Sequence, residues 1–316
     1  MLSLKQNVFA DGGMYMIIPK QKWRRYNTDK GICINEDCET VIEKYLQPNY
    51  AGKIQLILTS PPFPLKRAKK YGNKTGEEYL DWLCNIGNKL KPLLSEDGSI
   101  VIEIGNAWNT GEPTYSTLPL ETLLEFKKRC GLNLCQEFIY YNPARLPGPI
   151  EWVNKQRVRV KDSFTQIWWM SKTAYPYADN KNVVESYSKQ MKKLLSSGKY
   201  NSGTRPSEHT ISETAFSVDN GGSIPSNVII AANTTSNDIY IQKCKEHGLD
   251  IHPARMAPAI PEFFIKFLTR DDDIVLDCFA GSNTTGAIAE KLGRQWISIE
   301  LDRTYYDGSK YRFGRR

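Results

Sequence analysis

Residues 274–301 constrain the fold of this chain most, because they read as a strand, a helix and a second strand. Two apolar runs, 274–279 (IVLDCF) and 296–301 (WISIEL), enclose a turn of small residues and a helical stretch that ends near Gly293. Apolar runs of this length predict buried strands, and a connecting helix places two such strands parallel to each other. The segment therefore predicts a βαβ unit within an α/β sheet.

The turn of this unit has the composition of a nucleotide-binding crevice. Small residues let the backbone approach a ligand, and the acidic Glu300 on the second strand can accept hydrogen bonds from both hydroxyls of a ribose. The turn lacks a GxGxxG pattern and carries no Lys or Arg, so S-adenosylmethionine, with one ribose and no phosphate, fits better than a dinucleotide. Glycines that serve only helix packing are the competing interpretation. The residues expected to line the S-adenosylmethionine pocket are Asp277, Phe279, Gly281, Ser282, Asn283, Thr284, Thr285 and Glu300.

A second apolar run, Ile54–Thr59, ends in the tetrapeptide Ser60-Pro61-Pro62-Phe63. The exocyclic amine of cytosine or adenine is a weak nucleophile until acceptors draw on its hydrogens. The Ser60 hydroxyl and a carbonyl of the Ser-Pro-Pro backbone are such acceptors, and the two prolines remove N–H donors that would compete. Phe63 offers a flat face for the base. A proline-rich turn without a catalytic role would have the same sequence, so the tetrapeptide alone leaves both interpretations open.

The two features are more than 200 residues apart in the chain, yet a doubly wound sheet can bring them together. In such sheets, ligands bind beyond the carboxyl ends of the strands, where the strand order reverses. If Ile54–Thr59 and 274–279 are neighbouring strands at that point, the amine-binding loop faces the methyl donor. The combination predicts a methyltransferase that acts on an exocyclic amine.

Five motifs in this order resemble the β-class amino-methyltransferases of DNA, and in particular those specific for cytosine N4. They are TSPPF (59–63), EWVNKQRVRVKDSFTQIWWMSKT (151–173), DNGGSIPSN (219–227), HPARMAPAIPEFF (252–264) and DCFAGSNTTG (277–286). The resemblance implies a circularly permuted Rossmann-like, S-adenosylmethionine-dependent methyltransferase sheet with an inserted target-recognition region. It implies a catalytic half at 1–171, a target-recognition region at 172–248 and a cofactor-binding half at 249–316.

The resemblance also implies a reaction. A site-specific enzyme transfers a methyl group to N4 of a cytosine that is flipped out of double-stranded DNA, as the modification partner of a cognate restriction endonuclease. The implied enzyme is a cytoplasmic monomer that binds a CAGCTG-like site. Ser60 favours cytosine, since family members that act on adenine N6 usually carry Asp or Asn there. Adenine N6 methylation, a catalytically inactive DNA-binding protein and a protein-glutamine methyltransferase remain as alternatives.

Two further carboxylates gain a role from the resemblance. Asp37 matches the acidic residue that binds the adenine amine of the cofactor, although its position also suits a helix N-cap. Glu103 lies inside the apolar run 99–105, where a carboxylate costs several kcal/mol unless it is paired or faces a cleft. It matches an acidic position that orients the target base or helps to remove its proton, and an ion pair with Lys or Arg is the alternative.

Basic residues are the expected DNA contacts. Lys and Arg number 42 against 35 Asp and Glu, and a net charge of +7 permits a polyanionic partner. The seven cysteines form no CxxC pair, which predicts reduced thiols and no metal site. The candidate DNA contacts are Lys66, Arg67, Lys69 and Lys70 after the SPPF loop, Arg157 and Arg159 on a strand predicted over 155–161, and Lys193 and Arg205 in the recognition region.

Overall fold

A computed structural model describes residues 16–63, 74, 76–197, 202–212, 218–233 and 238–314. Within this part of the chain, the residues up to Tyr177 and from Asn227 form one compact unit, and Ala178–Ser226 form a second. No helix among the described residues is both long enough and apolar enough to cross a membrane.

Eleven strands are described. They are, in chain order, β1 (Arg24–Asn27), β2 (Gly31–Asn35), β3 (Ile54–Thr59), β4 (Leu94–Gly105), β5 (Asn133–Tyr141), β6 (Phe164–Ser171), β7 (Gly203–Thr204), β8 (Thr210–Ile211), β9 (Val228–Ile230), β10 (Ile274–Asp277) and β11 (Gln295–Glu300). The first unit holds a sheet of nine of them in the order β1-β2-β11-β10-β3-β4-β6-β5-β9.

The helices of the described residues flank this sheet or belong to the second unit. The α-helices are α1 (Cys38–Val41), α2 (Gln47–Tyr50), α3 (Gly76–Leu90), α4 (Leu118–Arg129), α5 (Lys189–Ser197), α6 (Ile239–Glu246), α7 (Ala259–Leu268), α8 (Thr284–Lys291) and α9 (Arg303–Ser309). Two π-helical turns, Ile42–Leu46 and Glu151–Lys155, and three 3₁₀ turns, Lys91–Leu93, Asn180–Val183 and Lys310–Phe313, complete the set.

The centre of the sheet is parallel. β2, β11, β10, β3 and β4 run side by side in one direction, with β10 hydrogen-bonded to β11 on one edge and to β3 on the other. In the β10–β3 register, Val275 lies opposite Leu56 and Leu276 opposite Ile57. The predicted α/β sheet and the predicted adjacency of the two apolar runs are therefore confirmed. The chain order is permuted, because β3 and β4 precede β10 and β11.

Apolar side chains fill both faces of the sheet, which explains why these strands read as continuous apolar runs. Successive residues of a strand point to opposite faces. Ile57 and Leu276 accordingly belong to one buried cluster, with the residues of α1 to α4, whereas Leu56 and Val275 belong to the other, with the residues of α7. Trp168 of β6 is fully buried.

The apolar residues Leu80, Leu83, Ile86, Leu90 and Leu94 recur with a helical period, and α3 confirms the helix that this spacing predicts. The helix ends before the periodicity does, because Pro92 follows α3 in a 3₁₀ turn and Leu94 already begins β4. The strand predicted over 155–161 does not form. The N–H groups of Val158 and Arg159 both donate to the carbonyl of Trp152, so the backbone folds back on the preceding π turn instead of pairing in a sheet.

The second unit contains little regular structure. Its described residues include α5, the short hairpin of β7 and β8, and an antiparallel bridge between Glu185 and Ser223. The Tyr187 hydroxyl accepts a 2.8 Å hydrogen bond from the Asn220 N–H. This unit lies within the segment for which the resemblance implies target recognition, and that role stays a prediction.

Candidate functional site

A cavity of about 670 Å³ lies beyond the carboxyl ends of β2, β11, β10 and β3. Ser60, which follows β3, and Gly281, which follows β10, line the same cavity. Most of the sequence-predicted site residues meet there, and Glu103 and Asn283 do not line it. The predicted residues along its wall are Asp37, Ser60, Pro61, Pro62, Phe63, Asp277, Phe279, Gly281, Ser282, Thr284, Thr285 and Glu300.

The turn after β10 brings backbone to the cavity wall. Gly281 has a φ of +53°, in the left-handed region that favours glycine. A Cβ at Gly281 would lie 3.0 Å from the His252 ring, so the neighbouring side chain leaves little room for any other residue. The Gly281 N–H donates a 2.6 Å hydrogen bond to Glu300 Oε2, which ties the turn to the end of β11.

Asn283 shapes the turn from behind. It is the N-cap of α8, with a φ of 55°, and its Oδ1 accepts from the Gly286 N–H at 3.1 Å. The same oxygen accepts from the Ser298 hydroxyl at 2.7 Å, while Nδ2 donates to the Tyr26 hydroxyl at 3.0 Å. A Cβ at position 286 would lie 2.3 Å from Asn283 Oδ1. The Asn283 side chain is thus occupied inside the protein.

Glu300 is a buried carboxyl at the cavity wall. Its Oε1 accepts a 2.7 Å hydrogen bond from the Asp302 N–H, and its Oε2 is held by Gly281. Burial raises the pKa of Glu300 to about 7, and the two backbone donors lower it in part. The carboxyl is therefore fixed in position and titrates near neutral pH.

Asp277 connects the two loops that meet at the cavity. Its Oδ1 accepts from the Thr59 hydroxyl at 2.7 Å and from the Phe279 N–H at 3.1 Å, and its Oδ2 accepts from the Thr285 hydroxyl at 2.7 Å. Burial raises the pKa of Asp277, and these donors lower it in part. Because Thr59 directly precedes Ser60, this carboxyl joins the end of β3 to the turn after β10.

The SPPF loop packs against β4. A Cβ at Gly105 would lie 2.5 Å from two carbons of the Phe63 ring, so the absence of a side chain at Gly105 gives the ring its place. The Glu103 carboxyl accepts a 3.1 Å hydrogen bond from the Thr165 hydroxyl, and Ser60 lies near enough to lower the pKa of this carboxyl in part. Glu103 thus stands behind Ser60 as seen from the cavity.

Burial raises the pKa of Glu103 to about 7, while Thr165, the positive charge of Arg145 and Ser60 lower it in part. Across the described residues, no Lys or Arg nitrogen is recorded within ion-pair distance of this carboxyl, so the alternative interpretation of Glu103, a direct ion pair, is not observed there. Glu103 is a buried carboxyl that exchanges its proton near neutral pH.

Asp37 caps a helix and also lines the cavity. Its Oδ1 accepts a 2.9 Å hydrogen bond from the Thr40 N–H and so caps α1. The residue also lines the cavity, at the end of β2. A helix cap and a ligand contact are therefore compatible at this position.

Sequence reasoning missed the aromatic wall of the cavity. Tyr79 and Trp82 of α3 line it, and their ring centroids are 5.7 Å apart. Trp82 also packs on Phe279, with centroids 5.6 Å apart. The three-residue spacing of Tyr79 and Trp82 was visible in the sequence, but it is also the spacing of a helix face that packs on a core. Other wall residues that the prediction did not single out are Met256, Asp302, Arg303 and Tyr305.

The structure describes four of the eight predicted DNA contacts, and none of these four lines the cavity. Lys66, Arg67, Lys69 and Lys70 lie outside the described residues. Arg157 is exposed with a φ of 56°, whereas Arg159 pairs with Asp162 at 3.2 Å. Lys193 is exposed on α5, and Arg205 lies in the β7–β8 hairpin of the second unit.

A permuted parallel sheet with such a cavity at its carboxyl edge is the architecture of a methyltransferase. The chain belongs to the DNA methylase family of N6 and N4 methyltransferases, whose model matches residues 54–311. The chain is similar to the type II methyltransferase M.PvuII of Proteus hauseri, with 42% identity over 290 residues that cover 91% of this chain and 85% of that protein. It is 24% identical over 259 residues to M.BglII of Bacillus subtilis, which covers 81% of this chain and 62% of that protein.

Solved structures agree with this assignment. The PvuII DNA methyltransferase, described as cytosine-N4-specific, superposes with a TM-score of 0.73 and 36% identity, over 91% of this chain and 88% of that chain. A complex of M1.HpyAVI with SAM superposes with a TM-score of 0.53 and 19% identity, over 90% of this chain and 98% of that chain. The second likeness supports the fold alone.

Proposed function

We propose that this protein transfers a methyl group from S-adenosylmethionine to N4 of a cytosine that is flipped out of double-stranded DNA. The observation that carries the proposal is the single cavity that Ser60 and Gly281 share, with Asp277 joining their loops. The similarity to proteins named cytosine-N4-specific and type II methyltransferase supports the choice of base and a role as the modification enzyme of a restriction-modification system. A cognate restriction endonuclease, action as a monomer and a CAGCTG-like site belong to the same proposal.

The residues of the cavity fit the proposed cofactor. A volume of about 670 Å³ lies within the usual range for small-molecule sites, about 300–1,000 Å³. The carboxyls of Glu300 and Asp37 can accept from ribose hydroxyls and from the adenine amine, and the rings of Phe279 and Trp82 offer apolar faces. Arg255 at the wall suits the carboxylate of the methionine part. S-adenosylmethionine, when bound, supplies an electrophilic methyl group on a sulfonium.

The chain's own residues prepare the amine that attacks. The target base must leave the helix, because its amine is unreachable inside a stacked duplex. Phe63, held against Gly105, stacks on the extruded base. The Ser60 hydroxyl and the Pro61 carbonyl accept hydrogen bonds from N4 as it becomes tetrahedral, and Pro62 keeps the loop rigid and removes a competing donor. Much of the acceleration comes from orientation of two bound reactants.

Glu103 acts through the Ser60 hydroxyl and does not contact the base. A Ser60 hydroxyl that donates to the Glu103 carboxyl keeps its lone pairs available for the amine of the base. A carboxyl that titrates near pH 7 can also take up the proton that N4 loses after transfer, passed on through the hydroxyl. The proton then leaves to solvent.

Cationic residues hold the DNA. Arg157 is exposed and suited to phosphate contact, and Arg159, paired with Asp162, is suited to shaping that segment of the chain. We assign phosphate contacts also to Lys66, Arg67, Lys69 and Lys70. Lys193 and Arg205 of the second unit are assigned to the target-recognition region.

The direct test is to identify the methylated nucleoside. The protein is incubated with a CAGCTG duplex and labelled S-adenosylmethionine, the DNA is digested, and the nucleosides are separated and weighed. N4-methylcytosine is expected. N6-methyladenine would instead support the adenine reaction, and cofactor binding without methylation of any DNA would support an inactive DNA-binding protein. Ser60→Ala should lower turnover roughly a hundredfold with cofactor affinity unchanged.

A further inference from the structure

The loop between β5 and β6, residues 142–163, leaves and re-enters the sheet next to the SPPF loop. β6 begins after the loop at Phe164, and the next residue, Thr165, lies opposite Gly105 in the β4–β6 pairing. Gly105 is the residue against which the Phe63 ring packs. Arg145 of the loop donates a 3.0 Å hydrogen bond to the Phe164 carbonyl, which fixes the loop at this edge. The loop therefore borders the position proposed for the target base.

This loop exposes large apolar side chains. Leu146 is 83% exposed and Val160 is 86% exposed. These two residues lie on neighbouring segments of the loop, since two hydrogen bonds join the segments. Lys161 Nζ donates to the Arg145 carbonyl at 3.3 Å, and the Asp162 N–H donates to the Gly148 carbonyl at 3.1 Å. We call Leu146 and Val160 the apolar tip.

The backbone beside the apolar tip is restricted, and the loop that carries the tip has an excess of positive charge. Prolines at 147 and 149 restrict the backbone beside Leu146, so little further conformational entropy is lost when Leu146 contacts a partner. The loop carries five cationic side chains and two acidic ones. Lys155 and Arg157 are exposed, and Lys155 forms an ion pair with Glu151 at 2.9 Å. An apolar tip on a loop with excess positive charge is complementary to a duplex, whose phosphates flank an apolar stack of bases.

We propose that the apolar tip enters the duplex beside the target base and fills the space that this base leaves when it rotates into the cavity. The inference rests on the proposed function, since it requires a base to be extruded. Apolar side chains that insert at a base step offset the loss of stacking, and so raise the population of the extruded state. Leu146 and Val160 are then positioning residues, which act on the duplex and not on the reacting atoms.

The test compares two substrates that differ only in the cost of extrusion. One is a duplex with a paired target cytosine, and the other carries a mismatch opposite that cytosine, which lowers the cost of unpairing. The variant Leu146→Ala/Val160→Ala is assayed on both under single-turnover conditions. Leu124→Ala is the matched control, because Leu124 is a 65% exposed leucine on α4 outside the loop. Fluorescence of 2-aminopurine at the target position reports extrusion itself.

The variant should methylate the paired duplex roughly tenfold more slowly than the unchanged protein, with a smaller 2-aminopurine signal, and should recover to within about twofold on the mismatched duplex. The control should match the unchanged protein on both. An equal loss on both substrates would overturn the proposal, because it would point to general damage or to phosphate contacts. No loss on either would also overturn it, and would assign the tip to a protein partner. If the unchanged protein methylated neither duplex, the proposed function would fail, independently of the tip.

Discussion

Cofactor binding should weaken as the pH falls below about 7, because Glu300 must be ionised to accept two ribose hydroxyls. Burial raises the pKa of Glu300 to about 7, against a partial lowering by the Asp302 and Gly281 N–H groups. Hydroxyl donors favour the ionised carboxyl, so binding lowers this pKa and releases a proton. The affinity therefore increases with pH up to about 7 and becomes flat above it.

The size of the effect follows from the ionised fraction. With a pKa of about 7, roughly 3% of the free protein carries an ionised Glu300 at about pH 5.5, against roughly 90% at about pH 8. The dissociation constant for S-adenosylmethionine should then be about 30-fold larger at the lower pH. Glu300→Gln cannot ionise, so its dissociation constant should be larger at about pH 8 and should lack this part of the pH dependence.

Isothermal titration calorimetry across this pH range, in two buffers of different ionisation enthalpy, measures both the affinity and the protons released. The comparison of variants removes the contribution of the ligand's own ionisable groups. Glu103→Gln is the matched control, because the pKa of Glu103 is also raised to about 7 and this residue does not line the cavity. It should keep the slope. Equal slopes for the unchanged protein and Glu300→Gln would refute the reasoning.

Three other outcomes follow from the structure. Ionisation of the buried Glu103 carboxyl destabilises the folded state as the pH rises from 4.5 to about 7, and Glu103→Gln removes this effect. The unfolding free energy of the variant, relative to that of the unchanged protein, should therefore be up to about 3 kcal/mol higher at about pH 8 than at about pH 4.5. Denaturant titration at both pH values measures this, and a pH-independent difference would contradict it. Gly105→Ala should raise KM for DNA at unchanged cofactor affinity, since its Cβ would displace the Phe63 ring; weaker cofactor binding instead would contradict this reason. The Arg312 guanidinium donates to the Ser282 carbonyl at 2.6 Å and to the Ser282 hydroxyl at 3.0 Å. Arg312→Lys should therefore weaken cofactor binding roughly tenfold, as measured by calorimetry. Unchanged affinity would show that the turn does not need these hydrogen bonds.

The central sheet and the meeting of the two loops could be predicted from the sequence. Both β3 and β10 are mainly apolar runs that end in polar residues, with Gln55 as the one polar residue inside β3, and a parallel sheet buried on both faces favours that pattern. Glu300 could be recognised in the same way, because it is the acidic residue at the end of the mainly apolar strand β11. These features are local, and the rule that ligands bind at the carboxyl edge connects them.

Individual side-chain contacts between distant segments could not be predicted in this way. The bond from Arg312 to Ser282 joins a basic C-terminal segment to the turn, and nothing in the local pattern around Arg312 distinguishes it from an exposed arginine. The alternation of cationic and apolar residues over 155–161 imitates a strand, but the hydrogen bonds to the Trp152 carbonyl determine a turn. Tyr79 and Trp82 look like core residues until the cavity beside them is known.

The central claim is that one cavity receives the methyl donor on one side and the extruded cytosine on the other. The most direct measurement is a structure of the protein with a CAGCTG duplex and sinefungin, a stable analogue of the cofactor. The target cytosine should lie outside the helix, with N4 within about 3 Å of Ser60 Oγ and the Pro61 carbonyl, and with sinefungin against Gly281 and Glu300. A cytosine bound away from Ser60, or an analogue bound outside this cavity, would contradict the account.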